Sequence, residues 1–288
     1  MTLVSFGLPV YNGAARLEPV VRSVLAQDHA DLELVICDNA STDETGELAR
    51  ALAAADSRVR YHRQPRNVGL VGNFTSVLGL ARGTYFRWVG DDNWLDPAYT
   101  SRCLELYARD ARLVLVTSQM EYAGPDGGKH SGSYDGTALL SDDPITRFAE
   151  LLRLLNDSHL TLDPLYGLLR RETVLAMDRR VMLHEDQILA ANLALAGPWG
   201  HVPEVLGGRG WESQSLAGIA RKIGVGRWQA RFATLLECRE ILRGLPRFEL
   251  SAEQRGLARR AVLNMYVTRH RRTVRHRGRR LLRMALNR

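Results

Sequence analysis

Leu34-Val35-Ile36-Cys37-Asp38-Asn39-Ala40-Ser41-Thr42-Asp43 decides how this sequence folds. Leu32–Cys37 is an apolar run of strand length, as expected of a parallel strand buried on both faces. It stops at a carboxylate. A loop of small polar residues follows, and then an Ala/Leu/Glu-rich segment, Asp43–Ala55, with the composition of a helix. Strand, acid-tipped loop and helix together form the first part of a βαβ unit.

The alternation continues on both sides. Upstream, Leu3–Val10 is a β-rich apolar run and Ala14–Gln27 has helical periodicity. Downstream, strands are predicted at Arg58–His62, Thr84–Val89 and Leu113–Ser118, with helices at Asn73–Ala81 and Pro97–Arg109. Asp96 is the expected cap of the last of these, with Pro97 in its first turn. The result is an α/β fold, a mostly parallel Rossmann-like sheet flanked by helices. From Ala123 the texture changes, with turn-rich Gly124–Gly128 and Ser131–Gly136. Helices are expected at Pro144–Leu155, Glu172–Met177 and His184–Ala196, and strands at Leu165–Leu169 and His201–Leu206. From about Arg227 the chain reads as helical. The expected division is 1–122, 123–215 and a helical C-terminal extension, 216–288.

In open α/β sheets ligands bind outside the C-terminal ends of the strands. Four successive strand ends here carry polar groups: Pro9-Val10-Tyr11-Asn12-Gly13, Asp38–Asp43, Arg66-Asn67-Val68-Gly69 and Gly90-Asp91-Asp92-Asn93. The adjacent carboxylates of Asp91 and Asp92 repel one another, and a divalent cation such as Mg²⁺ or Mn²⁺ would relieve this. Taken singly, each segment also reads as a turn or a helix cap. No G-x-G-x-x-G follows the first strand and no G-x-x-x-x-G-K-[ST] occurs, which argues against dinucleotide oxidoreductases and P-loop NTPases.

Taken in order, these segments resemble the family 2 glycosyltransferases, inverting enzymes of the GT-A fold, over about residues 3–215. Pro9–Asn12 resembles the family's opening strand end, and Leu34–Asp43 its strand and acidic loop. Arg66–Gly69, Ala81-Arg82-Gly83-Thr84-Tyr85, Gly90–Pro97, Tyr166–Arg171 and His184-Glu185-Asp186-Gln187 match its later segments. The resemblance implies transfer of a sugar from a nucleotide-sugar donor, most commonly UDP-linked, to an acceptor hydroxyl. It implies that Asp38 contacts the base, with Pro9, Tyr11 and Asn12 lining the same pocket and Arg66 near base and ribose. Asp91 would face ribose or sugar, Asp92 would ligate a divalent cation (Mn²⁺ or Mg²⁺) on the diphosphate, and Asp186 would be the general base. Many members carry an R-x-H segment after the last strand. Here it reads Arg209-Gly210-Trp211, so Arg209 is expected to carry more of the phosphate charge. The pathways implied are synthesis of cell-surface polysaccharide, glycolipid or other glycoconjugate, with a glycan, lipid-linked or small-molecule acceptor.

Composition has the ordinary balance of a soluble globular protein: 288 residues, 45% apolar and 25% charged. The longest apolar stretch, Ile188–Ala196, is interrupted by Asn192 and falls short of the ~20 residues a bilayer span needs. Met1–Phe6 has no signal-peptide character. Three cysteines without C-x-x-C spacing suit a reducing compartment, so the cytoplasm is expected. The net charge of +7 is unevenly spread: Arg255–Arg288 holds twelve arginines and no acid, leaving residues 1–254 at −5. This tail is read either as a solvated terminus or as peripheral attachment to an anionic membrane surface. A sugar-nucleotidyltransferase would need a Gly-rich basic loop after the first strand, and Pro9–Gly13 is not one. A nucleic-acid-binding protein would leave the strand-end carboxylates without a purpose. Trp88, Trp94 and Trp199 are expected in the core or a pocket wall, His201 in the core, and His184 in a turn or polar contact.

Overall fold

Apolar and β-branched residues at Val4–Val10 form β1, and every residue of β2, Leu32–Asp38, is buried. The computed structural model describes residues 2–125, 127–134, 137–158, 161–210 and 214–286, with side chains through residue 272. After β1 the chain runs through α1 (Ala14–Leu25), β2, α2 (Thr45–Ala55), β3 (Val59–Arg63) and α3 (Leu70–Leu80). It continues through β4 (Tyr85–Trp88), β5 (Asn93–Leu95), α4 (Tyr99–Arg109), β6 (Leu115–Ala123) and β7 (Lys129–His130). Then come α5 (Pro144–Asp157), β8 (Leu168–Arg170), α6 (Arg171–Leu175), α7 (Glu185–Ala196) and β9 (Trp199–Gly210). Three helices end the described chain: α8 (Leu216–Ile223), α9 (Trp228–Gly244) and α10 (Ala252–Leu286).

The sheet has the order β3-β2-β1-β4-β8-β6-β9-β5, with β7 paired to β6. Strands β3, β2, β1 and β4 are parallel neighbours, as are β6 and β9, whereas β8 is antiparallel to both β4 and β6. One face is covered by α1 and α4, through Leu17, Val20, Val24, Tyr99, Cys103 and Tyr107. The other meets a larger core that includes Phe86, Trp88, Phe148, Leu152 and Leu193. Full burial of such side chains contributes about 1.5–3 kcal/mol each. Trp88 also donates its indole N–H to the Phe74 carbonyl at 2.9 Å, so its one polar atom is satisfied.

Several elements depart from expectation. Asn93–Leu95 forms strand β5 where a capping loop is expected, and α4 starts at Tyr99 with Ala98 as its cap. Asp96 still holds the turn, accepting from the Ala98 N–H at 2.9 Å. Leu165–Leu169 divides into a 3₁₀ turn at Pro164–Tyr166 and strand β8. Strand β9 continues beyond Leu206 to Gly210, bent by register shifts against β6 at Ser118–Gln119 and Gln119–Glu121. Its far end then pairs antiparallel with β5, Asn93 opposite Arg209. Gly208 permits this passage, since a Cβ there would lie 2.5 Å from both the Glu121 carbonyl oxygen and the Trp94 indole nitrogen. Trp88 and Trp199 are core residues as expected, but Trp94 is exposed. His201 bonds Thr117 through Nδ1 at 3.0 Å, and burial pushes its pKa down to about 4, so it is neutral.

The C-terminal extension is more tightly built in than a location tail would be. Ala258, Val262 and Met265 of α10 are buried, and the helix packs on α5 and α9. Arg269 is not a solvated arginine. It donates to the fully buried Glu237 of α9 at 2.6 Å, to Asn156 at 2.8 Å and to Gln187 of α7 at 2.9 Å. Glu237 also bonds His184 Nδ1 at 2.6 Å, the polar contact expected of that histidine. The expectation that all of Arg255–Arg288 serves location therefore needs correction: the stretch through Arg269 belongs to the fold. Arg269→Met should leave Glu237 without its guanidinium partner and lower unfolding stability by about 3 kcal/mol. Chemical denaturation checks this, and an unchanged midpoint would contradict the clasp.

Candidate functional site

The loops after β1 and β2 are stitched together. Asn12, at φ 51°, accepts from the Thr42 N–H through its side chain at 2.8 Å, and its own N–H donates to the Ser41 hydroxyl at 3.0 Å. The Gly13 N–H donates to the Thr45 hydroxyl at 2.9 Å. Asn39 ties the third loop to these, accepting from the Val68 N–H at 2.8 Å and donating to the Asn67 side chain at 3.0 Å. Pro9 is half-buried and Tyr11 is exposed at the rim of this framework.

Asp38 lies beneath the loops and is fully buried. Its Oδ1 accepts from the Ser41 N–H at 2.7 Å, and its Oδ2 accepts from the Tyr61 hydroxyl at 2.8 Å and from Arg63 at 2.5 Å. Burial alone would raise its pKa, but the bonds from Ser41, Tyr61 and Arg63 outweigh burial and lower it. Arg63 also donates to the Ser41 carbonyl at 2.8 Å. Arg66 stands exposed on the third loop, so Arg63 is the arginine brought to Asp38.

The fourth strand end divides its two acids. Asp91 pairs with Arg16 from the first turn of α1, and Gly13 makes room for it: a Cβ there would lie 3.0 Å from the Asp91 carboxylate. Asp92 is exposed and has no ion-pair partner among the described residues. Surrounding protein raises its pKa and Asp91 adds to this, while the charge of Arg209 opposes both.

The β5–β9 ladder sets Arg209 beside Asp92. Arg209 pairs with Asp163 at 3.0 Å, and its guanidinium lies over the rings of Tyr166 (5.1 Å) and Tyr122 (5.6 Å). Burial works against its charge, but Asp163, the two tyrosines and Asp92 outweigh burial and raise its pKa. Burial raises the Tyr166 pKa, Arg209 opposes this, and the charges of Asp163, Asp92 and Asp186 each add to the rise. Asp186 is open to solvent at the start of α7. Lost solvation in the dense surround, then the charge of Glu185, raise its pKa, with His184 opposing. Glu185 is held elsewhere, paired with the buried Arg179.

Asp92, Asp163, Asp186 and Arg209 thus lie within electrostatic reach of the Tyr166 phenol, with Asp91 next to Asp92, while Pro9, Tyr11 and Asn12 belong to the loop framework over Asp38. Trp211 lies outside the described residues. Arg16, Arg63 and Asp163 were not anticipated: nothing in their local sequence separates them from ordinary surface charges. No group of three or more His, Cys, Asp or Glu side chains able to hold a metal occurs among the described residues. Asp92, an exposed hard-oxygen ligand without an ion pair, fits a cation held jointly by one carboxylate and a bound diphosphate.

Asp38 has a lowered folded pKa, so its pairing stabilises the protein above the unfolded carboxylate pKa and that stability is lost as pH falls through the folded value. Arg63→Met removes one source of the lowering. It should reduce stability at pH 7 and move acid unfolding to higher pH, followed by circular dichroism. An unchanged acid transition would contradict the assignment.

The sequence profile described as glycosyl transferase family 2 matches residues 5–174. A chondroitin synthase of Pasteurella multocida is 32% identical over 133 residues, 46% of this chain and 14% of that protein. The chain therefore spans less than a fifth of the length of such relatives. The crystal structure of S. aureus TarS 1–349 in complex with UDP-GlcNAc superposes with a TM-score of 0.66 at 16% identity, covering 92% of this chain and 72% of that one. A mannosyltransferase of Pyrobaculum calidifontis, in complex with GDP-Man and Mn²⁺, gives 0.55 at 16% identity, over 92% and 73%. These likenesses bear out the expected GT-A type fold with its helical C-terminal region. By the match over more than half its length, and by the strand-end acids that match falls on, the chain belongs to glycosyl transferase family 2.

Proposed function

We propose that this protein is an inverting glycosyltransferase that moves a sugar from a nucleotide-sugar, UDP-linked, to an acceptor hydroxyl. One observation carries the reading: among the described residues Asp92 and Asp186, which both act on the Tyr166 phenol, have no arginine partner, while Asp38, Asp91 and Asp163 are each neutralised. Two carboxylates without an arginine suit two tasks, neutralising a leaving group and accepting a proton.

In this reading residues 1–122 bind the donor, residues 123–215 receive the acceptor, and residues 216–288 brace the second part. The nucleoside lies over the Pro9–Asn12 rim and the Ser41 loop, with Asp38 acting through Arg63 and Ser41, and Asp91 faces ribose or sugar. Asp92 would hold Mn²⁺ or Mg²⁺, which would supply positive charge to the diphosphate. Arg209, fixed by Asp163 and two tyrosines, adds a second charge there. Asp186 accepts the acceptor's hydroxyl proton as the new C–O bond forms and the bond to the diphosphate breaks, so configuration inverts in one displacement. Its raised pKa brings it nearer to that of the hydroxyl it serves. Relatives named for chondroitin synthesis favour a polysaccharide acceptor.

Release of nucleoside diphosphate across a panel of sugar nucleotides tests the reaction class, and UDP-sugars are expected to be the substrates. In Asp186→Asn, kcat should fall by ~10²–10⁴ with donor affinity little changed. The wild-type kcat should decline at acid pH with a limb above the ordinary carboxylate range, and the variant should lack that limb. A near-normal kcat with acceptor present, or a product of retained configuration, would contradict the mechanism.

A further inference from the structure

Helix α9 is apolar on two sides. Ala233, Cys238 and Ile241 face the protein with Glu237, as a core-facing stripe should. On the opposite side Trp228, Phe232, Leu235 and Leu242 are 60%, 46%, 51% and 39% exposed. Beyond a kink at Phe232, Leu235 and Leu242 fall on one line with Arg239, directly across from the buried face. A helix that meets only water has no reason to present Trp, Phe and Leu there.

Among the described residues of α8 and α9, the exposed charges are all basic. Arg227, Arg231 and Arg239 are exposed on and beside α9, and Arg221 and Lys222 at the end of α8. The acids of α9 are turned away: Glu237 is buried against His184 and Arg269, and Glu240 pairs with Arg180 at 3.1 Å and Arg243 at 3.9 Å. Basic side chains surrounding an exposed aromatic and aliphatic stripe match the two layers of an anionic membrane surface, phosphates above and acyl chains below. No helix among the described residues is long and apolar enough to cross a membrane, so contact would be from one side.

We propose that the outer face of α8–α9 docks on an anionic lipid bilayer, with Trp228, Phe232 and Leu235 entering the interface and the surrounding basic side chains meeting lipid phosphate. The contact belongs to the folded body, separate from the arginines beyond residue 272. On the side turned away from the stripe, Leu183, immediately before His184 and α7, shares a small core with Ala220, Ile223 and Ala233 of α8–α9.

Co-sedimentation with phosphatidylcholine vesicles, with and without phosphatidylglycerol and across a salt series, tests the docking. Wild-type protein should bind the anionic vesicles and lose binding as salt rises. The triple variant Trp228→Ser, Phe232→Ser, Leu235→Ser should lose at least about tenfold in binding, with UDP binding and thermal midpoint unchanged. Replacing Arg275, Arg277, Arg279 and Arg280 by Gln should cost less. If the triple variant does not fold, Trp228 reports instead. Anionic vesicles should blue-shift the emission of wild-type protein, and Trp228→Phe should remove that shift. Equal vesicle binding by triple variant and wild type, absence of the blue shift in wild type, or a wild-type dimer that the triple variant makes monomeric without change in lipid binding would each overturn the proposal. Failure to release nucleoside diphosphate would leave it standing, because vesicle binding is measured without donor.

Discussion

Everything at the carboxyl end of this sheet depends on which carboxylates are neutralised by arginine. Asp38, Asp91, Asp92, Asp163 and Asp186 lie at or near that end, and Asp91 acts on Asp92 and Asp163 on Asp186 to disfavour their charge. Arg63, Arg16 and Arg209 neutralise Asp38, Asp91 and Asp163, each from a different element. Asp92 and Asp186 are left with raised pKa values, the condition in which a carboxylate accepts a cation or a proton. The same pairing organises the framework, because Arg63 holds the Ser41 loop and Arg209 joins β9 to the 3₁₀ turn before β8.

A second layer of charge fixes the helix that carries Asp186. Arg179 takes Glu185 away from the crevice, and the Arg269–Glu237–His184 chain ties the residue before the helix to α9 and α10. His184 has φ 61°, a strained left-handed conformation for a non-glycine residue, held by that bond to Glu237. The C-terminal extension is therefore tied mechanically to the helix that carries Asp186. Burying Glu237 is tolerable only because two cationic or polar partners meet it.

The sequence made the parallel half of the fold legible, because Leu32–Cys37 and its neighbours alternate with helices at unmistakable spacing. The acids at strand ends were legible for the same reason: a carboxylate after a buried strand has no role in a core. What stayed hidden depends on distant pairing. Strand β5 is three residues long and exists because the end of β9 lies beside it. Arg63 was passed over for Arg66, since only the register of β3 against β2 sets Arg63 opposite Asp38. Arg269 looked like one basic residue among twelve in a tail, and its partners Glu237, Asn156 and Gln187 come from three other helices.

The central claim is that the donor's diphosphate binds at the unpaired Asp92 beside Arg209, with the nucleoside over the loops that Arg63 and Asp38 hold. A crystal structure of the protein with UDP and Mn²⁺ tests it most directly. The account predicts a Mn²⁺ ion bridging Asp92 and the diphosphate, the uracil nearer to Arg63 than to Arg66, and Asp186 left clear of the nucleotide. A diphosphate bound away from Asp92, or a nucleotide in direct contact with Asp186, would contradict it.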